Sequence, residues 1–230
     1  MRQTIEIIPT VVPESHDDLV RRLHTIGAFT RHVHVDVDDG VFTQRVSWPY
    51  TQPGMFFDIQ DPTLDGAMKP DVHLMVQDPF EIGQSFIRAG VGGVIAHIEA
   101  FRDVETARHV LEAWRAAGAQ EVGLALLIDT PLDTLTPLAT RCDVVQVMSV
   151  AQIGAQGASF DARAIDRVRV LHGSFPELPI IVDGGVSEEN AADLVKAGAT
   201  RLSIGAAIMQ NSDPKAAYEH LQEVIHEAVR

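Results

Sequence analysis

The chain is short of cysteine, of positive charge and of long apolar runs, and each shortage removes a class of protein. Cys142 is the only cysteine in 230 residues. That excludes an intrachain disulfide framework and a cysteine-based zinc site, and makes a reducing, cytoplasmic setting the expectation. Eighteen Lys and Arg stand against 32 Asp and Glu, a formal charge of −14. Nucleic-acid binding needs clustered cations to neutralise phosphates, so no nucleic-acid partner is expected. A phosphorylated small molecule is compatible with this charge if backbone N–H groups, rather than a basic surface, hold it. No apolar stretch reaches bilayer-spanning length, and residues 1–9 lack the apolar core of a signal peptide, so no membrane partner is expected.

What is present is a regular alternation. Short apolar, β-branched runs occur at 4–8, 32–37, 71–76, 93–98, 121–127, 143–148, 178–182 and 200–204, the first closed by Pro9 and Thr10. Between most of them lie 3.6-period patterns at 15–26, 78–89, 103–117, 131–140, 161–173, 187–197 and 213–229. Several begin with helix-start signals: Asp78-Pro79, Ser187 followed by Glu188 and Glu189, and Asp213-Pro214. Eight βα-like units without a composition break predict one α/β domain over 1–230, a TIM (β/α)8 barrel, with a doubly wound sheet as the alternative. The second unit is expected to be irregular, because residues 45–70 hold four prolines and no amphipathic stripe. Trp48, Tyr50, Phe56 and Phe57 in that interval serve either a functional loop or packing, and an apolar surface there would suit a homo-oligomer.

Residues 32–38 carry the polar signal. Strand side chains alternate, so His32, His34, Asp36 and Asp38 share one face and Val33, Val35 and Val37 the other. In a barrel the working face lies at the C-terminal strand ends. His34, Asp36 and Asp38, then His73, then His97 and Glu99, then Asp183 all fall late in their runs, whereas His32 enters early and reads as structural, near the barrel floor. Two imidazoles and two carboxylates suit one divalent transition metal, Zn, Fe, Mn or Co, acting as a Lewis acid on a carbonyl or enediolate oxygen. Two carboxylates on opposite sides can remove a proton from one face of a carbon and return it to the other, inverting that centre. Gly184 and Gly185 after the seventh run, and Gly205 and Ala206 after the eighth, suit phosphate capture by backbone N–H groups and a helix N-terminus. Gly154 and Gly157, in the loop of residues 148–160, suit a flexible lid.

These motifs resemble the ribulose-phosphate 3-epimerases. The resemblance rests on His34-Val-Asp36 running on to Phe42, on His73-Leu-Met75, on His97-Ile-Glu99, on Met148-Ser-Val, on Asp183-Gly-Gly-Val and on Gly205-Ala-Ala-Ile, and it spans nearly the whole chain except 45–70. It implies a barrel enzyme of the pentose phosphate pathway that interconverts D-ribulose 5-phosphate and D-xylulose 5-phosphate through a metal-stabilised enediolate. His34, Asp36, His73 and Asp183 would then hold the metal, Asp36 and Asp183 would be the acid–base pair, and Thr10, Met75 and Met148 would contact substrate. The chain departs from the pattern at Thr10 for serine, Asp38 for methionine, Thr43-Gln44 for Pro-Asn, an extra residue within 152–157, and Ala206 for serine. Those departures leave two other readings: an epimerase of another ketose phosphate such as a hexulose 6-phosphate, or a non-catalytic sugar-phosphate-binding relative.

Overall fold

The computed structural model describes residues 5–154 and 157–228. Thr4 of the expected first strand, Val229 of the expected last helix, and Ala155 and Gln156 of the expected lid lie outside these residues. Within them the strands are β1 (Glu6–Val11), β2 (His32–Asp38), β3 (Tyr50–Gln52), β4 (Met55–Phe56), β5 (Lys69–Met75), β6 (Gly93–His97), β7 (Glu121–Leu126), β8 (Val144–Met148), β9 (Ile180–Asp183) and β10 (Arg201–Ile204). All except β3 and β4 close into a barrel in the order β1-β10-β9-β8-β7-β6-β5-β2. Parallel pairing of β1 with both β2 and β10 completes the ring and excludes the doubly wound alternative.

The helices are α1 (His16–Ile26), α2 (Pro79–Arg88), α3 (Val104–Ala116), α4 (Arg163–Ser174), α5 (Glu188–Ala197), the four-residue α6 (Ala206–Met209) and α7 (Pro214–Ala228). Their starts follow the sequence signals. The Ser15, Asp78 and Asp103 side chains accept backbone N–H groups of the first turn, and Ser187 forms a reciprocal capping box with Asn190. Each satisfies a donor that the helix itself leaves without a partner.

Strand alternation divides the interior into two compartments. Val33, Val35 and Val37, with Val72, Leu74, Val94, Ala96 and Val147, belong to the large core shared with Leu19, Leu23, Phe86 and Trp114 of the helices. The opposite faces point into the barrel, where Ile95, Ala125, Val144 and Ile181 form a separate apolar layer. Above that layer stand His34, Asp36, His73, His97, Gln146 and Asp183, all buried. Below it Nδ1 of His32 lies 2.7 Å from Glu6 Oε1 and Nε2 2.5 Å from Asp71 Oδ2, while Arg201 donates to Glu121 at 2.9 Å. His32 therefore sits in a charged barrel floor, as its early position in the strand implies.

Two expectations change and a third, the irregular second unit, is met. The 131–140 segment is not an α-helix but two 3-10 turns, Leu132–Leu135 and Ala139–Arg141. Pro137 lies inside it and supplies no N–H for a continuous helical ladder. β1 does not stop at Pro9 but runs to Val11, with Pro9 in register with Ile204, because a proline φ is still compatible with extended chain at the cost of one donor. In place of a second helix the 45–70 interval holds the β3–β4 hairpin, entered through a cis Trp48–Pro49 bond. Trp48 and Tyr50 are buried in the core, so the apolar surface narrows to Val41, Met55 and Phe57.

Candidate metal and acid-base site

β2, β5 and β9 bring His34, Asp36, His73 and Asp183 together. One ligand atom from each lies within 4.8 Å of all the others, and all four residues are buried. β2 and β9 are separated by β1 and β10 on one side of the ring and by four strands on the other, so the two carboxylates come from well-separated parts of the wall. Nδ1 of His73 lies between them, 3.0 Å from Asp36 Oδ1 and 3.5 Å from Asp183 Oδ2. His34 Nε2 is 3.8 Å from the same Asp36 oxygen.

Burial sets the charge states. It holds the imidazoles of His34 and His73 neutral, His34 well below its ordinary value and His73 at about 4. Burial, reinforced by the charge of Asp38, pushes Asp36 well above the usual carboxylate range. Burial and then the Asp36 charge push Asp183 up to about 7, against the pull of His73. The groups are thus two imidazoles with a lone pair each and two carboxylates that repel one another, a donor set for a divalent transition ion. An independent sign is that both ring nitrogens of His34 are fully buried without a hydrogen-bond partner, a costly state that a cation at this point would relieve at the nitrogen bearing the lone pair.

The adjoining pocket at the strand ends collects most of the other expected residues. Thr10, Asp36, Met75, Met148 and Asp183 line it, with Gly154, Gly157, Gly184, Gly185, Gly205 and Ala206 around them. No Lys or Arg lines it among the described residues, so an anion there would meet backbone groups. The glycines also have a packing reason. A Cβ on Gly185 would come within 2.8 Å of the Phe160 backbone nitrogen, and one on Gly184 within 2.7 Å of Val150.

Asp38, His97 and Glu99 lie outside the pocket lining. Asp38 is fully buried near Gly154; Oδ1 accepts the Thr43 hydroxyl at 2.9 Å, Oδ2 has no partner, and burial pushes the carboxyl up to about 6. His97 ends β6 behind His73, and Glu99 follows in a 3-10 turn. Two residues escaped the sequence reading. Gln146 donates to Asp183 Oδ2 at 3.1 Å and its Nε2 is 3.2 Å from His73 Nδ1. The Ser149 hydroxyl donates to the Asp183 and Gly184 carbonyls at 3.0 and 2.6 Å, bracing the end of β9. Gln146 had a signal, since it shares a strand face with Met148, and Ser149 stands inside the Met148-Ser-Val motif, which gave it no role.

Comparison with known proteins gives a consistent answer. The family model described as the ribulose-phosphate 3 epimerase family matches residues 6–209. The ribulose-phosphate 3-epimerase of Chlamydia muridarum is 31% identical over 188 residues, 79% of this chain and 77% of that protein. Among solved structures, KGPDC from Streptococcus mutans superposes with a TM-score of 0.71 at 12% identity over 98% of this chain and 99% of the other. The 3-hexulose-6-phosphate synthase of Salmonella typhimurium does so at 0.67 and 15% over 97% and 100%. At those identities the two structures speak to the barrel alone.

Proposed function

The chain belongs to the ribulose-phosphate 3-epimerase family and is a carbohydrate epimerase, and we propose from this premise that it interconverts D-ribulose 5-phosphate and D-xylulose 5-phosphate by two-carboxylate proton transfer at C3. The observation that carries the reading is the pair Asp36 and Asp183, drawn from well-separated strands, both lining the pocket and both near one imidazole nitrogen.

Two buried carboxylates this close resist ionising together, so the pair favours a state that shares one proton. That is the state a 3-epimerase needs. The ionised member takes the C3 proton from one face, the C3–H electron pair passing into a C2–C3 enediolate. The protonated member then gives its proton to C3 from the opposite face, inverting the centre and leaving the pair ready for the reverse reaction. His34, Asp36, His73 and Asp183 would hold one divalent transition metal, Zn, Fe, Mn or Co, whose Lewis acidity makes the C3 proton more acidic. Met75 and Met148 give an apolar wall, and backbone groups at Gly184, Gly185, Gly205 and Ala206 would meet the phosphate, with Thr10, Gly154 and Gly157 completing the substrate contacts. A sugar-phosphate substrate, a cytoplasmic setting and no nucleic-acid partner fit this reading. Among the described residues no helix is long and apolar enough to cross a membrane.

The test is solvent deuterium exchange into C3 of ribulose 5-phosphate. Asp36→Asn and Asp183→Asn are each expected to slow exchange by about 10²–10⁴-fold while the variants stay folded; undiminished exchange in either overturns the assignment. Running hexulose phosphates alongside addresses the alternative substrate, which the sequence departures in the loops at 43–70 and 151–159 keep in play. The carboxylate pair and imidazoles held together support the catalytic reading over a non-catalytic one.

A further inference from the structure

Behind the pocket, His97 and Glu99 do not line it, yet a continuous row of contacts joins them to it. His73 Nε2 lies 2.9 Å from His97 Nε2, and His97 Nδ1 lies 3.2 Å from Glu99 Oε2. Glu99 Oε1 accepts the Leu127 N–H at 2.9 Å and also the Thr130 hydroxyl. Both imidazoles are fully buried, and the Phe42 ring packs on His97 at 5.1 Å. We propose that this row is a tautomer lock, in which Glu99, acting through His97, keeps the His73 proton on Nε2 and turns the Nδ1 lone pair toward Asp36 and Asp183.

The argument is a count of protons. A neutral imidazole has one N–H and one lone pair, so each contact in the row needs one donor and one acceptor, and the row has only two polarities. The Glu99 end selects between them. Two donors converge on Oε1, the environment of a carboxylate, so Oε2 also accepts and the His97 proton sits on Nδ1. His97 Nε2 is then a lone pair and accepts from His73 Nε2. The single proton of His73 is committed there, so Nδ1 is left as a lone pair, and Asp36 Oδ1, 3.0 Å from it, meets that lone pair as the protonated member of the carboxylate pair. The Gln146 amide nitrogen, 3.2 Å from Nδ1, asks for the same lone pair from a different strand. The reverse polarity would aim an N–H at the point where the four donors converge.

His97 and Glu99 are thus positioning residues. The proposal rests on the metal reading above only for its purpose, since the lock itself can be read without any ion. The decisive measurement is long-range ¹H–¹⁵N NMR of histidine-labelled protein at neutral pH after treatment with chelator. Protonation of His97 at Nδ1 and His73 at Nε2 is expected; the opposite pair of tautomers overturns the lock. Glu99→Gln supplies the second arm. The Leu127 N–H requires the amide oxygen on its side, which turns the amide NH₂ toward His97 and reverses the row. This variant is expected to show the reversed tautomers and to bind zinc about 10–100-fold more weakly than the parent. Unchanged tautomers and zinc affinity in the folded variant overturn the proposal. If the parent shows the expected tautomers but binds no zinc, Co²⁺ or Mn²⁺, the metal reading fails and the lock stands. The tautomers of the parent decide the matter even if the variant does not fold.

Discussion

His32 and His34 are two residues apart on one face of one strand, yet the barrel puts them in opposite electrostatic states. Burial alone would lower both. For His34 nothing opposes it, whereas at His32 the burial penalty is outweighed by hydrogen bonds to Asp71 and Glu6, which raise the group to about 9. The sign of the linkage follows. A folded value above the unfolded 6.5 means that His32 contributes its full stabilisation below pH 6.5 and loses it as pH rises through about 9. His32→Gln is therefore expected to lower unfolding free energy by on the order of 2–3 kcal/mol at pH 6, and by much less at pH 9.5. Urea titrations at the two pH values check this, and an equal loss at both would mean that shape rather than charge holds the floor. The polar character of both histidines was visible in the sequence. Their different partners were not, because Glu6, Asp71 and Asp183 are brought in from remote strands.

At the scale of elements, α2 shows what periodicity conveys and what it hides. Asp78-Pro79 announces its start, and the apolar stripe of Ile82, Phe86 and Ile87 is legible. Gly83, in mid-helix, looks like a defect worth about 1 kcal/mol relative to alanine. Its reason lies in α3: a Cβ at Gly83 would come within 2.4 Å of the indole of Trp114, which is fully buried and donates its N–H to the Phe80 carbonyl at 3.2 Å. Gly83→Ala is expected to destabilise the protein by about 1–3 kcal/mol, overpacking outweighing the gain in helix propensity. Thermal unfolding measures it, and a stabilised variant would show that Trp114 has room to move. The 131–140 segment errs in the other direction, since its apolar spacing suggests a helix that Pro137 breaks into two short turns.

At the scale of the molecule, ring closure creates the site. No single strand holds more than two of the four clustered residues, and the donors converge only because β1 joins β2 to β10. A metal bound there would stabilise the closed barrel alone, so its free energy would add to that of folding. With the ion at about a thousand times its Kd this adds about 4 kcal/mol, so chelation is expected to lower Tm by roughly 8–16 °C in one cooperative transition. Calorimetry with chelator and with restored Zn²⁺, Mn²⁺ or Co²⁺ tests it, and an unmoved Tm argues against a tightly held ion. The exposed Val41, Met55 and Phe57 mark where a second copy of the chain would be sought.

The sequence by itself determined the strand and helix alternation outside 131–140 and the face on which His34, Asp36 and Asp38 lie, and it pointed to the barrel that ring closure decides. These depend on side-chain period and on residue types within a few positions of one another. It also marked His73 and Asp183 as partners, through motifs that sit at strand ends. Only the tertiary structure decided that His97 and Glu99 stand behind His73 in a hydrogen-bonded row, that Gln146 links His73 to Asp183, and that Asp38 is buried against Thr43. The physical reason is that contacts between strands depend on how the ring closes and in what register, and no local pattern in one strand records the register of another.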